Sequence, residues 1–392
     1  MTPLEAVYGV AGLGGFLATL PGTVELAITT SGAIFKGRPA ERKNPAAFRL
    51  AVVIPAHNEQ GSIERSIRSV QAAIKPGVTA EIVVIADNCD DQTAERATTA
   101  GARVTVRNDP AKRGKGQALH FAFEQLLAEG VDGFLVIDAD SVVSANLLEE
   151  VHERLGKGAA AVQCRYKVLN PASPRTQLMD VAFSAFNVLR PRGRDGWGLS
   201  AGLLGNGFGL SRETVATVPY SAGSIVEDLE YHLLLVSASK HVAFIDNATV
   251  YGEMPADEHA ARTQRARWEG GRLQIARRWA PRLLQGVIGG RGRMFEPLMD
   301  MLSLPLAYQV MVLITLLCAF RGWMQIYAIM GLAFVLGHVA TSIVLGGRQR
   351  AAVMALMTVP IYILWKLTTL RSVLEASGRQ AFWVRTRRRN EL

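Results

Sequence analysis

Two kinds of apolar run alternate along residues 50–140. LAVVIPA (Leu50 to Ala56), EIVVIAD (Glu81 to Asp87) and GFLVIDA (residues 133–139) are short, continuous and rich in β-branched residues, the pattern of strands buried on both faces. Between them, Ser62 to Ala73, Thr93 to Ala100 and Gln117 to Ala128 carry apolar residues at helical spacing, and Ala102 to Arg107 reads as a further short strand. Strands alternating with helices predict an α/β fold on a mostly parallel sheet, with ligands at the carboxyl ends of the strands. Those ends deliver His57, Asn58 and Glu59, then Asp87 and Asn88, then Asp138 and Asp140. Beyond Ala161 the pattern loosens. NPASP and RPRGRDGWG read as loops around a helix over residues 175–189, residues 200–210 as a glycine-rich turn, and Val226 to Ser237 as a helix starting with Glu227 and Asp228.

A different pattern occupies the two ends. Residues 301–320 and 323–346 contain no Lys, Arg, Asp or Glu, and about 20 such residues span a bilayer core of roughly 30 Å. A third apolar segment, 351–370, is interrupted by Pro360, and a fourth runs from Leu4 to Phe35 with Pro21 and Glu25 inside it. The latter is too long for a cleaved signal and lacks its basic start, so it reads as a retained anchor. Lys36, Arg38, Arg42 and Lys43 follow it and place residues 50–300 in the cytoplasm. The expected organisation is an anchor over 1–36, a cytoplasmic domain over 50–258, interfacial amphipathic helices over 259–298, a membrane region over 299–370 with two clear spans, and a basic tail over 371–392. That is a multi-pass protein of a bacterial inner membrane.

The formal net charge of +9 does not point to nucleic acid. Nine arginines fall between Arg262 and Arg293, mixed with Trp268, Leu273, Ile275 and Trp279, which suits helices on an anionic lipid surface. Cys89, Cys164 and Cys318 form neither a zinc cluster nor a disulfide framework by spacing, and the histidines show no ligand spacing.

Several polar groups have two readings each. Asp138-Ala139-Asp140 at the mouth of a buried strand suits Mg²⁺ or Mn²⁺, though Asp-x-Asp also serves as a cap or turn. Asp87 suits a nucleobase N–H, or an Asx turn. KRGKG (Lys112 to Gly116) is a basic glycine-rich turn that suits a diphosphate, and it is not a P-loop. Asp228 suits a general base, or a favourable charge at a helix start.

The order of motifs adds a family. VVIPAHNE (52–59), IADNCDD (85–91), RGKGQAL (113–119), DADS (138–141), GNG (205–207), VED (226–228) and QRARW (264–268) resemble, in sequence, the membrane-bound family 2 glycosyltransferases. That group includes cellulose, hyaluronan and poly-N-acetylglucosamine synthases and ceramide glucosyltransferase. The resemblance implies a GT-A-like nucleotide-sugar domain and an inverting transfer from a UDP-sugar. Asp138 and Asp140 would hold the metal, Asp140 more directly, with Asp228 the base. Gln264, Arg267 and Trp268 would lie beside the diphosphate and the acceptor. Donor-binding positions would include Pro55, Ala56, His57 and Glu59, and also Asp87, Lys115 and Ala139. The chain departs from the family at Ala86-Asp87-Asn88-Cys89, where many members read Asp-Asp-Gly-Ser, and at Val226, where Thr is common. The acceptor would be a polysaccharide, in exopolysaccharide biosynthesis, with self-association or an export partner supplying a path for the polymer. A membrane lipid receiving one sugar is the other enzymatic reading, and a non-catalytic scaffold subunit the third.

Overall fold

A computed structural model describes residues 3–35, 48–169, 171, 174–221, 223–253, 258–347 and 349–357. The chain opens with helix α1 (Pro3–Gly32). It then runs through β1 (Arg49–Ala56), α2 (Ile63–Ala72), β2 (Thr79–Asp87), α3 (Thr93–Thr99), β3 (Arg103–Arg107), α4 (Lys115–Ala128) and β4 (Gly133–Val136). This half follows the apolar pattern closely. Less legible elements come next: β5 (Val142–Val143), α5 (Leu147–Gly156), β6 (Ala161–Val168), and α6 (Pro174–Ser184), which passes through a π-helical turn into α7 (Arg190–Gly196). Then follow β7 (Phe208–Ser211), α8 (Arg212–Thr217), α9 (Glu227–Ser237) and β8 (Val242–Gly252). The C-terminal part is helical: α10 (Glu258–Ile288), a short 3₁₀ turn, α11 (Phe295–Leu302), α12 (Leu306–Ala319), α13 (Trp323–Gly346) and α14 (Gln349–Leu356).

The eight strands form one sheet in the order β3-β2-β1-β4-β7-β6-β8-β5. β1 pairs in parallel with β2 and β4, β2 with β3, and β6 with β8. β7 runs against both β4 and β6, and β5 against β8. The mostly parallel sheet expected from the sequence is thus observed, parallel throughout its first half and mixed in its second. Alternate residues feed opposite faces, as the pleat requires. Val52 and Ile54 join Ile63, Ile67 and Leu147 on one side, while Val53 and Ile85 join Leu119, Phe123, Phe208 and Tyr231 on the other. Because β1, β2 and β4 are parallel, their carboxyl ends, and the polar residues that follow, emerge along one edge.

Three sequence expectations need correction. RPRGRDGWG is mostly the helix α7, and its glycines are contact residues, since a Cβ at Gly193 would strike the Thr29 main chain of α1. Its arginines are neutralised locally: Arg190 and Arg194 both reach Glu25 at 2.8 Å, and Arg194 Nε reaches Glu296 at 2.5 Å. Second, residues 301–320 are not one straight span. Ser303, Leu304 and Pro305 interrupt the helix, and α11 and α12 meet at 81°. Third, α10 spends much of its apolar face inside the protein. Ile275, Trp279 and Leu283 pack on Leu233 and Val236 of α9 and on Leu298 of α11, leaving Leu284 and Ile288 exposed.

Among the described residues two helices, Tyr8–Gly32 within α1 and Trp323–Gly346, are long and apolar enough to cross a membrane, and the bent α11–α12 pair makes a third when counted as one span. α13 ends against the sheet. Lys167 Nζ and Arg165 Nη1, from β6, donate to the carbonyls of Gly346 (2.5 Å) and Leu345 (3.5 Å), basic partners where the helix dipole is negative. The Pro360 segment from residue 358 onward, the tail, and Lys36, Arg38, Arg42 and Lys43 lie outside the described residues.

Candidate active site

The first strand ends are laced together before any ligand is considered. His57 Nδ1 lies 2.8 Å from the Asp87 carbonyl, and the Glu59 N–H donates to Thr93 Oγ1 at 2.7 Å. Glu59 is buried, and its carboxylate accepts from Ser62 Oγ at 2.9 Å, which fixes the entry to α2. Pro55 and Ala56 remain within β1, paired along β2. Asn58 and Asn88 both take left-handed backbone (φ 56° and 51°), which Asn tolerates better than most residues. Cys89 Sγ donates to the Ala56 carbonyl at 3.4 Å, and burial pushes its thiol pKa up. These residues shape the rim of the site through main chain and turns.

Asp87 has a partner that sequence reading missed. Arg107, at the end of β3, donates to its carboxylate at 2.5 Å, and both side chains are buried. The parallel β2–β3 register puts Asp87 opposite Arg107. A carboxylate so paired is held in one orientation. The signal was present in the sequence as a basic residue ending a short strand, but only the register pairs it with Asp87.

A second group gathers around Asp138. Lys115, the first residue of α4, donates to the Asp138 carboxylate and to the Gly205 carbonyl. Gly205 has φ +79°, and a Cβ there would come within 3.0 Å of Asp228 Oδ2, so the turn both needs glycine and packs directly on Asp228. Asn206 secures the same region: its Oδ1 accepts from the Asp138 N–H at 3.1 Å and its Nδ2 donates to Ser141 Oγ at 2.8 Å. Gln163 of β6 holds the turn from below, donating to the Asn206 carbonyl at 2.8 Å and accepting from the Leu204 N–H at 2.9 Å. Asp140, two residues beyond Asp138 and past Ala139, is buried, and its carbonyl accepts from Arg65 Nη2 at 3.0 Å.

The charges of this group act on one another. Burial works against the Lys115 ammonium, yet Asp138, then Glu227 and Asp228, hold its pKa above the usual lysine value. Burial, then Asp228, push the Glu227 carboxyl up to about 7, with Lys115 pulling the other way. Burial also raises Asp228, opposed by the Leu229 N–H and Lys115. Arg267 is brought into the same field: burial lowers its pKa, while Glu227, Asp138 and Asp228 hold its charge. Tyr220, buried against Tyr231, Phe123 and Phe208, is raised well above its ordinary value by burial and then by Glu227 and Asp228. Glu227 and Tyr220 therefore belong to the site as electrostatic neighbours.

On α10, Gln264, Arg267 and Trp268 are spaced to share a face; Gln264 and Arg267 are half-buried and Trp268 is 39% exposed. The structure thus unites Lys115, Asp138, Glu227, Asp228 and Arg267. Asp87 stands apart with Arg107 on the neighbouring strands.

Among the described residues no group of three His, Cys, Asp or Glu side chains converges as a metal cage. The Asp138 and Asp140 carboxylates still fit a hard divalent ion, because Mg²⁺ is commonly held by one or two carboxylates, with waters and substrate phosphates completing its shell.

The model of glycosyltransferase-like family 2 matches residues 45–271, more than half of the chain. This protein belongs to that family. Among curated relatives, the chain is 24% identical over 239 residues to probable glycosyltransferase YdaM of Bacillus subtilis, covering 58% of this chain and 56% of YdaM. It is 35% identical over 132 residues to glycosyltransferase AglD of Haloferax volcanii, covering 31% of this chain and 21% of AglD. The chain therefore spans about half, or less, of the length of these relatives. Mannosyltransferase PcManGT of Pyrobaculum calidifontis, solved with GDP-Man and Mn²⁺, superposes with a TM-score of 0.50 over 93% of this chain and 99% of that one. At 16% identity that likeness shows the fold alone, a GT-A-like α/β domain. The family 2 glycosyltransferase assignment agrees with the motif order read from the sequence.

Proposed function

We propose that this family 2 glycosyltransferase moves a sugar from a nucleoside diphosphate donor, UDP-linked, to an acceptor at the cytoplasmic face of a membrane, inverting the anomeric configuration. One observation carries the reading: Arg267, far along the chain on α10, shares an electrostatic field with Asp138, Glu227 and Asp228. Asp228 takes the proton of the acceptor hydroxyl. The new C–O bond forms at the anomeric carbon as the bond to the β-phosphate oxygen breaks on the opposite face, so an α-linked donor gives a β-linked product. Arg267 and Lys115 are the donors positioned for the charge that develops on the departing diphosphate. Trp268 offers an exposed apolar face to a sugar ring, with Gln264 one turn away. Asp138 and Asp140 would hold Mg²⁺ or Mn²⁺, which supplies further neutralisation of the leaving group.

For the acceptor, the proposal is a polysaccharide, as the resemblance to the synthases implies. One structural observation favours the other reading, transfer of one sugar to a membrane lipid. Leu26, Leu313 and Val335 pack together between α1, α12 and α13, so these helices close on one another within one copy.

The test of the base is Asp228→Asn. Donor binding should stay within a few-fold of wild type, while transfer falls by about 10²–10⁴. Turnover near the wild-type rate would remove Asp228 from that role. Chelation should abolish transfer and added Mg²⁺ or Mn²⁺ restore it; activity unchanged in chelator would sink the metal reading. Sizing the products from a panel of UDP- and GDP-sugars separates a polymer ladder from a single glycolipid.

A further inference from the structure

Lys115 Nζ contacts two oxygens of different kinds, a carboxylate of Asp138 and the carbonyl of Gly205. A carboxylate and a main-chain carbonyl converging on one point are the surroundings a hard cation takes. The backbone of Lys115 is fixed at the start of α4, and its four-carbon stem leaves the ammonium free to move by several ångströms. The Asp138 side chain keeps 30% of its surface open and Lys115 keeps 21%, so the pair lies at the wall of the site and not beneath it.

We propose that Lys115 is a placeholder cation: its ammonium occupies Asp138 until a donor diphosphate draws it away, and only then does Asp138 become available to a divalent ion. The inference rests on the proposed role of Asp138 and Asp140 as metal ligands. Its physical basis is charge. An ammonium and a divalent ion on the same carboxylate repel each other. Removing the ammonium without a replacement would leave the mutually repelling carboxylates of Asp138, Glu227 and Asp228 with one positive charge fewer to offset them. A diphosphate resolves both problems, because its oxygens attract the lysine and would serve a divalent ion as further ligands. Metal and donor then bind with positive coupling, and by linkage each raises the affinity of the other by the same factor. Besides meeting the diphosphate, Lys115 in this scheme governs metal loading through Asp138.

The test reads metal binding rather than turnover. Mn²⁺ affinity of the purified full chain is measured from the paramagnetic resonance signal of free Mn²⁺, without nucleotide and with UDP or GDP, corrected for Mn²⁺ held by nucleotide in solution. Wild type should bind Mn²⁺ at least about tenfold more tightly with the nucleotide than without it. Lys115→Met should bind Mn²⁺ about tenfold more tightly than wild type in the absence of nucleotide, and its dependence on nucleotide should shrink. Lys115→Arg, which keeps the charge, should behave as wild type. Equal or weaker nucleotide-free affinity in Lys115→Met overturns the proposal. Should that variant fail to fold, wild-type affinity that is the same with and without nucleotide overturns it equally. If wild type and variants bind no Mn²⁺ under any condition, the metal reading of Asp138 and Asp140 falls and this inference falls with it. Metal binding that ignores residue 115 leaves that reading intact and removes the placeholder alone.

Discussion

Glu227 is the residue whose chemistry the sequence undersold. A carboxylate at a helix start needs no function, because the dipole alone favours it there. In the folded protein it is buried beside Asp228, and its pKa rises from 4.5 to about 7. The sign of the consequence follows directly. Between those values the native state holds a proton that the unfolded chain has released, so stability falls as pH rises from about 4.5 toward 7. Glu227→Gln removes this penalty. Thermal melts of the purified protein at pH 5 and pH 8 should show the variant gaining on wild type at the higher pH; parallel melting curves would contradict the assignment. Asp87 shows the complementary lesson. Its position at a strand end was legible, whereas its buried partner Arg107 depends on the β2–β3 register. Likewise Asn206, which could have been a mere turn residue, is bonded to the Asp138 main chain and to Ser141.

Among the elements, α10 and α7 do most to join the catalytic part to the apolar helices. Five residues beyond Arg267, Arg272 donates to Asp300 of α11 at 2.7 Å, and Asp300 also binds Arg190 of α7 at 2.5 Å. Arg190 and Arg194 in turn reach Glu25 of α1. Four helices therefore meet at one buried network of arginines and carboxylates. Such networks contribute little while intact but are costly to break, since removing one partner strands a charge, at about 3–5 kcal/mol. Glu25→Ala should lower the stability of the full chain by that order. Denaturant titration of wild type and variant in the same detergent measures it, and a loss below about 1 kcal/mol would mean the network is already wet. The sequence marked Glu25 only as a charge inside an anchor. Its role is set by Gly193, which lets α7 approach α1 at main-chain distance.

For the whole molecule, α1 cannot be treated as a detachable anchor. It packs against α7, α11, α12 and α13 and supplies Glu25 to the buried network. Removing residues 1–35 should yield a chain that aggregates or melts well below the full-length protein, even in detergent. Size-exclusion profiles and thermal melts decide it; a monodisperse truncated protein with unchanged melting would show that the catalytic sheet stands alone.

By itself, the sequence determined the family, the first four strands with their helices, the acidic strand ends and the two longest apolar helices. All of these depend on local periodicity or on short contiguous motifs, which survive without knowledge of what packs where. Only the tertiary structure decided that β7 runs against its neighbours, that residues 301–320 bend at Pro305, and that α10 buries Trp279 and Ile275 inside the protein. It also decided which charges share a site. Pairing of Lys115 with Asp138, of Arg107 with Asp87 and of Arg272 with Asp300 joins residues 20 or more positions apart, and the electrostatics of a buried group depends on such neighbours and on lost water, neither of which is written in its own segment.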